Sequence, residues 1–352
     1  FHSYTKHNPN KFRAVINAFV HQAAAGVHLD FFDARGRKGI DLGVKATAAE
    51  DGLQVSVFPE TPVIAYRNFR INGDNYVFLG REHEVRADID LLADDGTAMS
   101  LLGEPTDSIN DLTLSMLNVN LSELSDVLPV MPRLGGMLSG DIHITAGRFE
   151  PSLSAAALVQ TRALEFEGAL LGDLGVEAFY LPMADSAHYA HAYISAGDRE
   201  VMQCEGTYSN DRFAGEAHID GLPLQMANGF LVGTDFLLDG YAKGDLSLRQ
   251  EDDGMRIDGA PAFDSAPALS ALYGTNLAMD STTLVMADSR LLFDRFGLRS
   301  NGRGNPLEIT GSLDLSQMDN MRMSLLMKAK NFELVNTRRK MSSLLYGKVY
   351  AD

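Results

Sequence analysis

Strict two-residue alternation of apolar and polar side chains most narrows what this chain can fold into. Leu53, Val55 and Val57 alternate with Gln54 and Ser56. Val85, Ala87, Ile89 and Leu91 oppose Arg86, Asp88 and Asp90, and Leu112, Leu114 and Met116 oppose Thr113 and Ser115. The pattern is sharpest near the C-terminus, where Leu307, Ile309, Gly311, Leu313 and Leu315 alternate with Glu308, Thr310, Ser312 and Asp314. A period of two sends successive side chains to opposite faces of a strand, so each strand has one dry and one wet face. Turn-forming clusters stand between these segments: Asn72-Gly73-Asp74, Asp94-Asp95-Gly96, Asp253-Gly254 and Asn301-Gly302-Arg303-Gly304. The reading is an all-β, mostly antiparallel chain of roughly fifteen strands, typically ~5–6 residues each, with a few short helices.

Three segments read as helical. Phe12, Val15, Ile16, Phe19 and Val20 recur at helical spacing before a run of alanines and Gly26, which predicts an N-terminal amphipathic helix over 1–26. Such a helix could cap an open sheet. Leu121, Leu124 and Leu128 precede Pro129, and Leu334, Met341, Leu344 and Leu345 suggest a helix over 334–346. The remaining chain divides into β units at 27–120, 121–220 and 221–352. An internal repeat supports that division: Gly136-Met-Leu-Ser-Gly-Asp-Ile-His-Ile144 matches Gly240-Tyr-Ala-Lys-Gly-Asp-Leu-Ser-Leu248. Glu205-Gly206-Thr207 and Thr310-Gly311-Ser312 fall at a similar offset. Repetition on this scale points to an array of similar β units sharing edges.

Several classes of function drop out. The formal charge is −17, and the only dense basic cluster is Arg338, Arg339 and Lys340, so nucleic acid is not expected as a partner. Cys204 is the only cysteine, which rules out an intrachain disulfide and a thiolate metal cluster. No run reaches the about 18 apolar residues of a membrane helix. A chain that opens on Phe1 reads as a piece of a longer protein, with any targeting or anchoring segment upstream.

Nor does a catalytic constellation emerge. A Gly-x-Ser-x-Gly elbow, a P-loop and a complete Gly-x-Gly-x-x-Gly are all missing, and Gly302-Arg303-Gly304 reads as a hairpin turn. His188 and His191 could pair on a helix, but Tyr189, His191 and Tyr193 read as one face of a strand. Asp88 and Asp90 fall on a wet face, Asp94-Asp95-Gly96 is turn chemistry, and Glu165 and Glu167 flank Phe166 in the same wet-face manner. No catalytic residue, metal or cofactor is therefore expected. The positive feature is the dry face itself: fifteen methionines and eighteen phenylalanines with no tryptophan, and a stripe of Met321, Met323 and Met327. Unbranched, polarisable methionine suits surfaces that accept varied apolar partners. Periodicity and composition fit a closed sandwich core and an open groove alike.

A resemblance favours the groove. The two Gly-x-x-x-Gly-Asp-[Ile/Leu]-x-[Ile/Leu] segments carry part of it, with the stretch from Leu277 to Asp294 that contains Leu291-Leu292-Phe293. The step from Asn305-Pro306-Leu307 to Gly311, the run from Lys328 to Thr337 and the closing Tyr346-Gly347-Lys348-Val349-Tyr350-Ala351-Asp352 carry the rest. In these the chain resembles the TamB family of translocation and assembly module subunits, of the Bacteroidetes type, within the AsmA-like, bridge-like lipid carriers. The likeness spans 120–352 well and 27–119 more loosely, and fits 1–26 least.

That resemblance implies a long sheet curled into a U-shaped trough, the β-taco, with an apolar groove and no catalytic residues. It implies a periplasmic location, inner-membrane anchoring through an upstream segment, and an outer-membrane partner of the Omp85 class. The ligand is then a phospholipid or another acyl chain, and neighbouring β modules of the same full-length chain pair with the open edges. The lining expected is Leu53, Val55, Val57, Ile89, Ile142, Ile144, Leu164, Phe166, Leu246, Leu248, Ile309, Leu313, Met323, Leu325 and Met327. The alternative role is a scaffold that translocates and assembles outer-membrane proteins, taking client strands by β-augmentation.

Overall fold

The computed structural model describes residues 12–21, 23–128, 131–150, 152–183, 187–231, 236–251, 254–264, 267–270, 275–279, 284–300, 305–316, 322–336 and 348–351. Strands dominate, and every strand pairing among these residues is antiparallel, as the alternation demands. Contacts divide the chain into two units. One is Phe1–Gly168 with Gly172–Pro182, and the other is Ala169–Leu171 with Met183–Asp352. The boundary falls inside the stretch 121–220.

The first unit runs β1 (Arg13–His21), β2 (Ala24–Phe32), β3 (Lys38–Ala49), β4 (Gly52–Ile64), β5 (Arg67–Ile71), β6 (Tyr76–Gly80), β7 (Val85–Ala93), β8 (Ala98–Pro105) and β9 (Ile109–Asn120). Then come α1 (Leu121–Val127), β10 (Leu134–Gly147) and β11 (Leu153–Phe166), while β12 (Ala169–Pro182) contributes residues to both units. The expected N-terminal helix is a strand instead. β1 pairs residue for residue with β2 from Arg13↔Phe32 to His21↔Ala24, and Ala24 and Ala25 open β2. Val15, Ile16 and Val20 are β-branched and Phe19 is aromatic, side chains that suit a pleated surface better than a helix. Their spacing satisfies both periods, and pairing with β2 decides between them. Gly26 does not stop a helix; it makes room for an aromatic ring, because a Cβ there would lie 2.3 Å from Phe19 Cζ.

Asn72-Gly73-Asp74 does not reverse the chain. β5 and β6 are both antiparallel to β4 and to β7, so they form one interrupted strand between them. Two carboxamides fill the interruption. Asn75 Oδ1 accepts from the Val57 amide at 2.6 Å, and Asn72 Oδ1 accepts from the Asp90 amide at 3.0 Å. The ladder bonds lost at the jog are thus replaced by side chains, as buried backbone groups require.

The helix expected before Pro129 is present as α1. Asn120 caps it, its Oδ1 accepting from the Ser122 and Glu123 amides. Val127, Leu124 and Leu128 pack on Phe31, Ile40, Ile64, Ala65 and Tyr66, so the helix covers one end of the β2–β4 region. In the 334–346 segment, Leu334 belongs to a strand, and residues 337–346 lie outside the described residues, as do Asn301–Gly304.

The second unit contains β13 (His188–Ala196), β14 (Arg199–Ser209), β15 (Arg212–Pro223), a 3-10 helix at Leu224–Leu231, β16 (Phe236–Leu238), β17 (Tyr241–Glu251) and β18 (Gly254–Gly259). It continues with β19 (Ala262–Asp264), β20 (Pro267–Ser270), β21 (Thr275–Met279), β22 (Val285–Ala287), β23 (Arg290–Ser300), β24 (Leu307–Asp314), β25 (Arg322–Lys328), β26 (Phe332–Asn336) and β27 (Lys348–Ala351). Strands are more numerous than the alternation suggested, because short pieces such as β16, β19 and β22 hold only three residues each and show no period.

The sequence repeat is also a structural repeat. The first copy enters β10 after α1, and the second enters β17 after the 3-10 helix. Gly136 and Gly240 both take positive φ, 98° and 91°. At Gly140 and Gly244 a Cβ would lie 2.3 Å from the Leu158 carbonyl oxygen and 2.4 Å from that of Ala260. Both positions therefore require the missing side chain. Gly140→Ala and Gly244→Ala are each expected to destabilise the chain by about 1–3 kcal/mol, read as a lowered urea midpoint.

Candidate functional site: two apolar sheet faces

Register shows how the dry faces of separate strands join. In an antiparallel ladder, directly paired residues point to the same side. One row in the first unit runs Val20–Ala25–Ala46–Val55–Val77–Ala87–Gly103–Leu112–Ile144–Ala155. It crosses ten strands from β1 to β11 without a polar residue. At ~4.8 Å per strand its contour is roughly 43 Å. Further rows reinforce the same face: Ala18–Val27–Val44–Val57, Ile89–Leu101–Leu114–Ile142–Ala157 and Ile71–Leu91–Met99–Met116–Gly140–Val159.

This face is accessible. Val20 is 83% exposed and Ile16 69%, while Val27, Val44, Leu53 and Leu79 are exposed and the middle strands are half-buried apart from the buried Ala87 and Gly103. Among the described residues, its well-buried apolar side chains include Ala87, the paired Phe69 and Ala93, and the cluster at the α1 end. At that end Arg67, paired with Ile64, is the charged residue that the register places on this side. Its guanidinium is held by Glu123 at 2.6 Å, by Thr97 Oγ1 at 2.7 Å and by Asp95. Helix and ion pair close one end of the face, and Leu53, Leu79 and Leu153 leave exposed apolar surface near the other.

The second unit carries a comparable row of its own: Ala192–Cys204–Ala217–Leu246–Gly259–Met286–Leu291–Leu313–Met323. Cys204 is one of its apolar members, and burial pushes its thiol up, so it stays neutral. Toward β23 and β24 this face becomes a closed core. Leu284, Phe296 and Ile309 are buried there, with Phe263, Met279, Leu291, Phe293 and Leu325 packed against them. On the outer strand β25, Met323 and Met327 remain 68% and 54% exposed.

The expected lining residues can now be placed. Leu53, Val55, Val57, Ile89, Ile142 and Ile144 share the first unit's face, and Leu246, Leu248, Ile309, Leu313, Met323, Leu325 and Met327 share the second's. Leu164 and Phe166 lie half-buried at the end of β11, beyond a register irregularity at Gly135/Met137 that breaks the row. Ile309 departs from the expectation: at 7% exposure it belongs to the core, and Leu325 packs against the same cluster. Sequence reasoning missed α1 as the cap and Arg67 as its anchor; only the contacts between distant segments reveal them.

The opposite faces carry ion pairs and polar side chains, in the first unit beside exposed Leu92, Leu102, Leu117 and Leu158. His143 Nε2 lies 2.6 Å from Asp111, and Tyr189 donates to Glu205 at 2.9 Å. Tyr189, His191 and Tyr193 do share a strand face, with ring centroids 6.2 and 4.4 Å apart. Asp88 accepts from Asn72 at 3.0 Å. Among the described residues one group has metal-ligating composition, His28, Asp30 and Asp41. Lys38 Nζ already lies 3.0 Å from Asp30 and 2.6 Å from Asp41, so an ammonium supplies the cation. Burial pushes the Asp41 carboxyl up, but hydrogen bonds from Lys38 and His28 outweigh it and hold the group below its ordinary value. A cleft of about 600 Å³ opens on the same side beside Asn72–Asn75, lined by Gln54, Ser56, Phe58, Glu60, Tyr76, Phe78 and Arg86 among others.

His218 Nδ1 lies 2.6 Å from Asp245, and this hydrogen bond raises the imidazole above its ordinary value. A raised histidine adds stability fully below its unfolded pKa and loses it as pH climbs through the folded one. Asp245→Asn is expected to shift the His218 titration downward toward the ordinary value, as followed by NMR.

No family model matches the chain, and no curated protein and no solved structure is similar to it. The site must speak through its own chemistry.

Proposed function

We propose that this chain is a non-catalytic groove module that holds the acyl chains of phospholipids on its apolar sheet faces. The observation that carries the reading is the ten-strand apolar row of the first unit, whose members other than Ala87 and Gly103 are half-buried or exposed. An acyl chain laid on such a face leaves water at about 0.8 kcal/mol per methylene, so ten methylenes contribute about 8 kcal/mol before the costs of association. The head group stays in solvent, and no side chain has to react. The TamB-like sequence segments support placing the module in the periplasm, in a longer inner-membrane-anchored protein that reaches an Omp85-class partner.

Native mass spectrometry of the purified chain, followed by lipid extraction, tests the proposal. Bound phospholipid supports it; a chain that emerges without lipid and takes none up from vesicles contradicts it. A second reading, a scaffold for outer-membrane proteins, is favoured by the exposed edge strand β1. It requires that proline in β1 abolish capture of client strands, and unchanged capture would remove it.

A further inference from the structure

The edge strand β1 has properties that neither lipid carriage nor the sheet faces explain. All nine of its residues are exposed, and among the described residues it pairs only with β2. Edge strands are ordinarily blunted with lysine, proline, a bulge or an inward charge. β1 (Arg-Ala-Val-Ile-Asn-Ala-Phe-Val-His) has none of these, and its one fixed charge, Arg13, is terminal. The strand is also self-complementary. Turned antiparallel about Asn17, it sets Asn17 against Asn17, Val15 against Phe19, Ile16 against Ala18 and Ala14 against Val20. Arg13 then meets His21, and no like fixed charges oppose each other.

We infer that β1 pairs with the β1 of a second copy of this chain about a two-fold axis at Asn17. An axis perpendicular to the sheet puts both apolar faces on the same side. Ala14, Ile16, Ala18 and Val20 of each copy then bridge the seam, and the apolar surface runs unbroken from one copy into the next. Such an isologous contact closes on itself and yields a dimer rather than a fibre. The inference is independent of what the face binds.

Sedimentation of the full chain tests it, with Asn17→Asp and Asn17→Lys as variants. Wild type is expected to dimerise with rising concentration. Each variant alone sets like charges opposite one another and weakens the dimer roughly tenfold, whereas an equimolar mixture of the two restores it. Crosslinking fixes the register on a Cys204→Ser background. Asn17→Cys should oxidise to a covalent dimer, and Val15→Cys should do so only when mixed with Phe19→Cys. A chain that stays monomeric, or one in which Val15→Cys crosslinks with itself as fast as Asn17→Cys, overturns the inference. A monomer that instead captures an alternating apolar peptide at β1 assigns the edge to a client strand and overturns it equally.

Discussion

Ile309→Asp is expected to cost at least about 4 kcal/mol and to unfold the β22–β25 end of the second unit. Its side chain is 7% exposed and sits with Leu284 and Phe296, with no cation in that cluster to receive a carboxylate. Met323→Asp, two strand positions along the same face from Leu325, is expected to change stability by less than about 0.5 kcal/mol, because that side chain is 68% exposed. Leu325→Asp falls on the Ile309 side of the divide, since it packs on the core. Urea unfolding monitored by amide exchange in β23 and β24 separates these outcomes. If Ile309→Asp were as mild as Met323→Asp, the closed core described for this end would be wrong.

Val44→Asp has its largest expected effect on binding rather than on folding. Val44 is about half exposed, lies in the row Ala18–Val27–Val44–Val57, and faces the surface proposed to hold acyl chains. A carboxylate there stays hydrated in the empty protein but must be desolvated against a hydrocarbon chain. Bound lipid is therefore expected to fall roughly tenfold or more, while the unfolding midpoint moves little. Leu102→Asp is the control, since Leu102 is similarly exposed but pairs with Asp88 and Thr113 on the opposite face. Equal losses from both substitutions would mean that lipid does not distinguish the faces.

How much of this was legible beforehand depends on which physical signal each part leaves. The faces were legible because register preserves alternation: Leu53, Ile89 and Ile142 each follow the period of their own strand, and the ladders bring their faces together. The repeat was legible because its glycines are sterically required at both copies. The β1 segment was misread because nine residues of mixed aromatic and β-branched character satisfy both periods, and only pairing with β2 settles the conflict. Accessibility was not legible either. Ile309 and Met323 look alike in sequence, but one lies on an inner strand under aromatic cover and the other on the outer strand. The α1 cap depends on contacts across some ninety residues of chain, for which alternation has no signature.

The most direct measurement is photolabelling with a phospholipid that carries a diazirine near the end of one acyl chain, with labelled residues mapped by mass spectrometry. The account predicts labels on Val20, Val27, Val44, Leu53 and Leu79, and few on Leu92, Leu102, Leu117 or Leu158 across the sheet. Labels spread evenly over both faces, or gathered in the Asn72–Asn75 cleft, would contradict it.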